Sequence, residues 1–186
     1  MKLNYQITEF PDPLAEPIVL LHGLFGKQDN LGLLKQALQL QRPVITVDLR
    51  NHGLSEWHAE MNYQVMCDDI LNLLSELALP KAHLLGHSMG GKVAMAVALQ
   101  APDRIASLCV ADIAPVTYTE SRHTNVFKAL NAVANAQVTS RKEAEQLMSD
   151  YLTETSVRQF LLKSFSNEQP THWQFNLHIL QQDYAD

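Results

Sequence analysis

The chain has 186 residues, enough for a domain with a real core, and 46% of them are hydrophobic against 18% charged, a balance that excludes a disordered chain. A net charge of −6, with no basic block or basic amphipathic helix, argues against nucleic acid as a partner. The two cysteines, Cys67 and Cys109, fall in an expected helix and an expected strand, which reads as two buried thiols rather than a disulfide.

The first residues, Met1-Lys2-Leu3-Asn4-Tyr5-Gln6, lack an apolar signal-peptide region, and no apolar run reaches membrane-spanning length. A soluble cytoplasmic chain with no membrane partner is therefore expected. Residues 2–8 alternate loosely and suit an edge strand, followed by a turn at Pro11-Asp12-Pro13. Pro17-Ile18-Val19-Leu20-Leu21 is a continuous apolar run, as in a strand buried on both faces. It ends in His22-Gly23-Leu24-Phe25-Gly26. The spacing of Leu31, Leu34, Ala37 and Leu38 predicts a helix from Asn30 to Leu40, capped by Asp29 or Asn30. A second buried strand follows at Pro43–Asp48, then the polar loop Leu49-Arg50-Asn51-His52-Gly53-Leu54-Ser55.

Residues 63–78 place Met66, Ile70, Leu73, Leu74 and Leu77 on one helical face, with Asp68, Asp69 and Glu76 on the others. After Pro80, Lys81–Leu85 reads as a strand and Val93–Leu99 as a buried helix. Between them stands Gly86-His87-Ser88-Met89-Gly90, a G-x-S-x-G nucleophile-elbow pattern. Such a turn strains the central residue. It needs glycine two positions to either side, where side chains would meet the neighbouring elements. It also backs the serine hydroxyl with a helix N-terminus that favours negative charge. The same letters begin a phosphate-binding P-loop at Gly86, Gly91 and Lys92, but that motif next requires Ser or Thr, and Val93 stands there. By itself the pattern also fits an ordinary glycine-rich strand–helix turn. Ile105–Ala111 is a further strand ending at Asp112.

Strands alternating with helices predict an α/β fold with a mostly parallel sheet. Ligands in such sheets sit at the carboxyl ends of the strands, where His22, Gly23, Asp48, Ser88 and Asp112 all fall. Acyl transfer places negative charge on a carbonyl oxygen, which fixed backbone N–H groups stabilise. In an elbow hydrolase these come from the residue after the nucleophile, here Met89, and from the loop after an earlier strand, here Leu24. Beyond Pro115 the pattern is helical: 121–136 on Val126, Phe127, Leu130, Val133 and Ala134, a capping box at Ser140-Arg141-Lys142-Glu143 opening a helix through Tyr151, and Thr155–Phe165. The expected organisation is the N-terminal part of an α/β core over 1–114, then a helical lid insertion and the start of a missing C-terminal core over 115–186, the lid's apolar Phe127, Leu130, Phe160 and Leu161 suggesting an acyl-chain pocket.

Four ordered stretches, His22–Gly26, Val47–Ser55, Gly86–Lys92 and Ala111-Asp112-Ile113-Ala114-Pro115, resemble the α/β-hydrolases, and among them the small YbfF-type bacterial esterases. The resemblance covers residues 17 to about 165. It implies serine hydrolysis of small-to-medium acyl esters, or of acyl-CoA thioesters, without metal or organic cofactor. It assigns the nucleophile to Ser88 and the acid of the triad to Asp112. Asp48 competes for the acid; it reads as a loop organiser near Arg50 and Asn51. His22 is expected to hold the oxyanion loop through backbone hydrogen bonds, and His87 to flank the elbow with its ring turned from the hydroxyl. In this fold the histidine follows the lid. None of His123, His172 and His178 sits in the required strand-then-loop setting. The catalytic histidine and the last strands are thus expected to be absent from these 186 residues, leaving 105–111 as an exposed, association-prone sheet edge. The alternative from a different class is a non-catalytic ligand-binding module on a hydrolase scaffold. Nothing in the pattern specifies an oligomeric state.

Overall fold

A computed structural model describes residues 1–9, 11–12, 14–118, 123–136 and 138–185. Residues 121–122 of the expected fourth helix and Pro13 of the expected turn lie outside them. The chain divides into two units, Met1–Pro115 and Val116–Asp186.

The first unit is a five-stranded sheet with helices between its strands. In chain order it contains β1 (Tyr5–Ile7), β2 (Ile18–Leu21), α1 (Gly32–Leu38), β3 (Val44–Val47), α2 (Tyr63–Glu76), β4 (Ala82–His87), α3 (Met89–Gln100) and β5 (Ile105–Ala111). The spatial order is β1-β3-β2-β4-β5. Only β1 runs antiparallel, against β3; the pairs β2/β3, β2/β4 and β4/β5 are parallel. Every residue of β2 and β3 is buried, which is why β2 reads as an unbroken apolar run; in β3 the buried Thr46 is satisfied by donating to Gln28 Oε1 at 2.9 Å. Leu21 lies opposite Val47 and Gly86, and His87 opposite Ala111. This register brings the residues after four neighbouring strands to one edge of the sheet.

Local chemistry fixes the helix starts. Asn62 caps α2 by accepting the Val65 amide. The start of α1 departs from expectation: a 3-10 turn over Gln28–Leu31 precedes it, and Leu31 stands at its N-cap without a side-chain bond. Asn30 instead accepts the Lys27 amide at 2.7 Å. Asp69 corrects the face assignment of α2. It is buried, with Arg50 Nε at 2.6 Å and Nη2 at 2.9 Å on its two oxygens, a paired geometry that compensates a carboxylate inside a core.

β5 is an edge strand, with Ser107, Leu108 and Cys109 exposed. The expectation of two buried thiols therefore fails for Cys109; both cysteines are free, and only Cys67 is buried. An edge strand packs on fewer sides than an interior one, so its apolar residues stay wet. Burial, and then the neighbouring Asp68 charge, push the Cys67 thiol up to about 11. A disulfide reagent added to the folded protein is expected to titrate Cys109 quickly and Cys67 only after denaturant is added; two fast thiols would contradict the arrangement.

The second unit is helical: α4 (Thr124–Asn135), α5 (Arg141–Met148), α6 (Thr155–Leu161) and α7 (Leu177–Gln182). Ser140 caps α5 through the Glu143 amide, while the Glu143 carboxylate accepts from the backbone and hydroxyl of Thr139. These bonds hold the Glu143 carboxyl below the usual carboxylate range. Trp173 and Phe175, fully buried, stack with ring centroids 5.5 Å apart, and Trp173 Nε1 donates to Leu130 O. Phe127, Leu130 and Leu161 are buried as well. They are core residues rather than the walls of an open acyl pocket; of the four expected there, Phe160 is the half-buried one. Among the described residues no helix is long and apolar enough to cross a membrane.

Candidate active site

The strand–helix junction at Ser88 has the strain the motif demands. Ser88 stands at φ 51°, ψ −119°, between β4 and the first residue of α3, in a region that L-residues populate only when the surroundings force them. The forcing is local. A methyl group on Gly86 would fall 2.2 Å from Gly90 O, and one on Gly90 would fall 2.3 Å from Leu21 O and 2.6 Å from His22 O. The two glycines thus let the turn close and let α3 dock on β2. The Ser88 amide donates to Ala111 O at 2.9 Å, tying the elbow to the end of β5. Its side chain makes no cap bond to α3, so the hydroxyl is not consumed by the helix it precedes, and the residue is only half-buried.

The loop after β2 lies against this serine. A side-chain carbon on Gly23 would sit 3.3 Å from Ser88 Cβ and 3.0 Å from His87 Nδ1. Leu24 follows, half-buried, and Phe25 has a left-handed backbone at φ 62°. Met89, buried, opens α3, where the first amides of a helix have no intrahelical acceptor. An anion near Ser88 Oγ therefore meets a helix N-terminus of 12 residues.

His22 bonds within and across loops. Its Nδ1–H donates to Gly23 O at 2.8 Å and its Nε2 accepts the Leu49 amide at 3.0 Å, which fixes a neutral ring protonated on Nδ1. Asp48 accepts the Gln28 amide at 2.7 Å, the Asn4 side chain at 2.8 Å and the Leu54 amide at 3.0 Å. It organises loops as expected, but through these groups and not through Arg50, whose guanidinium goes to Asp69, Glu60 O and Val65 O.

Asp112 follows β5 with φ 57° and a side chain that is 87% exposed. His87 Nε2 lies 3.8 Å from its Oδ2, so the His87 ring turns toward Asp112 and Gly23. Another serine–histidine–carboxylate contact sets off what is specific here. Ser107 Oγ is 2.7 Å from His83 Nδ1, and His83 Nε2 is 3.6 Å from Glu16 Oε2. Ser107 belongs to a strand interior, however, with neither an elbow nor a following helix at its position. The three residue types in contact do not make a site without the strained turn and its amides.

Sequence reasoning missed His52. It is fully buried, its Nε2 accepting the Phe25 amide at 3.3 Å and its Nδ1–H donating to Arg50 O at 2.9 Å. Burial, with the His22 ring next to it, pushes His52 down to about 3, and burial likewise lowers His22. Both histidines are thus neutral when folded, whereas the unfolded chain takes up protons below about pH 6.5. The contribution of His52 to stability is complete above that pH and is lost as pH falls toward about 3, and the lowered His22 acts in the same direction. For His52 the loss is about 1.4 kcal/mol per pH unit, or about 2 kcal/mol at pH 5. Urea unfolding at pH 7 and pH 5 should show this drop, smaller in His52→Gln; equal stabilities at the two pH values would contradict it.

The family described as alpha/beta hydrolase fold matches residues 16–183. Esterase YbfF of Escherichia coli (strain K12) is 46% identical over 185 residues, which are 99% of this chain and 72% of that protein. The chain belongs to the α/β-hydrolase family. The chain is also 38% identical over 190 residues to mouse (Mus musculus) sn-1-specific diacylglycerol lipase ABHD11, covering 98% of the chain and 62% of that protein. A solved structure titled "Marine microorganism esterase" superposes with a TM-score of 0.92 at 31% identity, covering 99% of this chain and 72% of that one. The chain thus spans between about three fifths and three quarters of the length of these relatives.

Proposed function

We propose that the chain carries the nucleophile, the oxyanion donors and the acid of a serine esterase acting on small-to-medium carboxylic esters, with acyl-CoA thioesters as a second substrate class. Ser88 Oγ attacks the acyl carbonyl carbon and gives its proton to an imidazole. The amides of Leu24 and Met89 hold the carbonyl oxygen as it becomes negative. The carbonyl re-forms, the C–O or C–S bond to the leaving group breaks, and the imidazolium protonates the departing alcohol or thiol. Water then attacks the acyl-serine by the same route in reverse and releases the acid. Asp112 orients the imidazole and stabilises its charged form. One observation carries the reading: the strained backbone of Ser88, with Gly23 packed against it and no cap bond on its hydroxyl. The relatives named as an esterase and a diacylglycerol lipase support carboxylic esters as the substrate class.

In this reading the base is none of the chain's eight histidines. His22 and His52 are locked in the loops, His83 bonds Ser107, His123 bonds the Tyr184 hydroxyl at 2.6 Å, and His172 stacks on Phe165. His58 accepts the Glu60 amide, and His178 is an exposed residue of α7. His87 adjoins the nucleophile in sequence. The 186 residues alone are therefore expected to turn over esters slowly, at the level of roughly 10³–10⁴ over water that an oxyanion hole and binding leave behind. The test of the reading is a fluorophosphonate probe, which phosphonylates an activated serine and expels fluoride, applied to a form of the protein that supplies the imidazole. Peptide mapping is expected to find the label on Ser88; an unlabelled Ser88 would refute it.

A further inference from the structure

The loops after β2 and β3 hold each other through two histidines, and they do so reciprocally. His22, from the first loop, accepts the Leu49 amide of the second. His52, from the second, accepts the Phe25 amide of the first. The remaining ring nitrogens donate within their own loops, His22 to Gly23 O and His52 to Arg50 O. The rings meet edge to face, with centroids 5.1 Å apart, and neither is exposed.

The consequence lies in the peptide planes. Each planar trans peptide points its C=O and N–H in opposite directions. The bond from His22 to Gly23 O therefore aims the Leu24 N–H, which shares that plane. The bond from the Phe25 amide to His52 fixes the next plane and sustains the left-handed Phe25 backbone. Leu24 is clamped on both sides. We propose that His52 is a second positioning residue of the Leu24 amide, acting from the following peptide plane beside His22 and holding the amide on the line along which the substrate oxygen becomes negative; this rests on the reading of Ser88 as nucleophile. His52 serves because it is a buried neutral ring that presents a bare nitrogen to one loop and an N–H to the other. Its own loop is anchored by Arg50 on the buried Asp69 of α2. A misaimed amide weakens only the charged transition state, so the effect falls on the chemical step and not on ligand capture.

The test is the rate of Ser88 phosphonylation by a fluorophosphonate, resolved into maximal rate and half-saturating concentration, in a form of the protein that supplies the imidazole, for the unmodified protein, His52→Asn and His52→Gln. Asparagine places an N–H near the position of Nδ1 and keeps the bond to Arg50 O, but does not reach the Phe25 amide; glutamine reaches the Nε2 position with an oxygen. Loss of an oxyanion donor costs roughly 10²–10³-fold, and misaiming one is expected to cost His52→Asn about tenfold in maximal rate, with half-saturation little changed and His52→Gln recovering most of the rate. Equal rates for the unmodified and Asn proteins overturn the inference alone. Absence of Ser88 labelling in the unmodified protein overturns the proposed function, and the inference with it. Should His52→Asn not fold, ¹⁵N NMR of the unmodified protein decides: His52 protonated on Nδ1 with a bare Nε2 supports the clasp, and protonation on Nε2 overturns it.

Discussion

Replacing Ser88 by alanine is expected to abolish phosphonate labelling at the elbow and, in a form of the protein that supplies the imidazole, to lower kcat/KM by at least about 10³-fold, because the acyl-enzyme forms on Ser88. The substitution removes a single oxygen. That oxygen makes no cap bond to α3, and the bonds that secure the turn, the Ser88 amide to Ala111 O and Ser88 O to the Gly91 and Lys92 amides, belong to the backbone. Stability should therefore stay within about 0.5 kcal/mol of the parent. The pairing of the two results is what tests the site: a catalytic loss with unchanged urea unfolding is the signature of a nucleophile. Full activity in Ser88→Ala would assign the chemistry elsewhere, and a large loss of stability would make Ser88 a structural residue of the turn.

Gly90→Ala has the opposite expected signature. The new methyl would meet the carbonyl oxygens of Leu21 and His22 at 2.3 and 2.6 Å, both backbone atoms of the central strand and its following loop, neither of which can rotate aside. Relief requires α3 to lift from β2, which separates Met89 from the loop carrying Leu24 and opens the packing of the buried Val93, Ala94 and Val97. Overpacking of this kind costs about 1–3 kcal/mol where side chains can adjust; against immobile backbone the expected loss is at least about 3 kcal/mol, or failure to fold. Urea or thermal unfolding checks it. A variant as stable as the parent would mean that α3 does not lie where the elbow geometry requires.

What the sequence disclosed and what it withheld follow from the range of the interactions involved. The elbow was legible because its requirements are local: Gly86, Ser88 and Gly90 satisfy one turn within five residues. The runs at 18–21 and 44–47 were legible because a strand buried on both faces is dominated by apolar residues, Thr46 excepted with its hydroxyl on Gln28. Asp69 was not, because helical periodicity groups it with the polar residues of α2, and only the fold brings Arg50, 19 residues earlier, onto its carboxylate. The same holds for the histidine clasp. His52 and Phe25 are 27 residues apart, and nothing in either segment announces the other. Cys109 misled because an apolar strand reads alike whether it lies inside a sheet or at its edge. α7 escaped notice because six residues hold too few turns to show a period. Its cap, Asn176 accepting the Ile179 amide, was the available signal.

The proposed chemistry requires the Ser88 hydroxyl to stand beside amides arranged to receive an alkoxide and the oxyanion it creates. A crystal structure of the phosphonylated protein measures this directly, since the tetrahedral phosphorus mimics the charged intermediate. The predicted result is a P–O bond to Ser88 Oγ, with a second phosphonyl oxygen within hydrogen-bonding distance, about 2.7–3.1 Å, of both the Leu24 and Met89 amides. An adduct on another residue, or one on Ser88 whose oxygens turn away from those two amides, would contradict it.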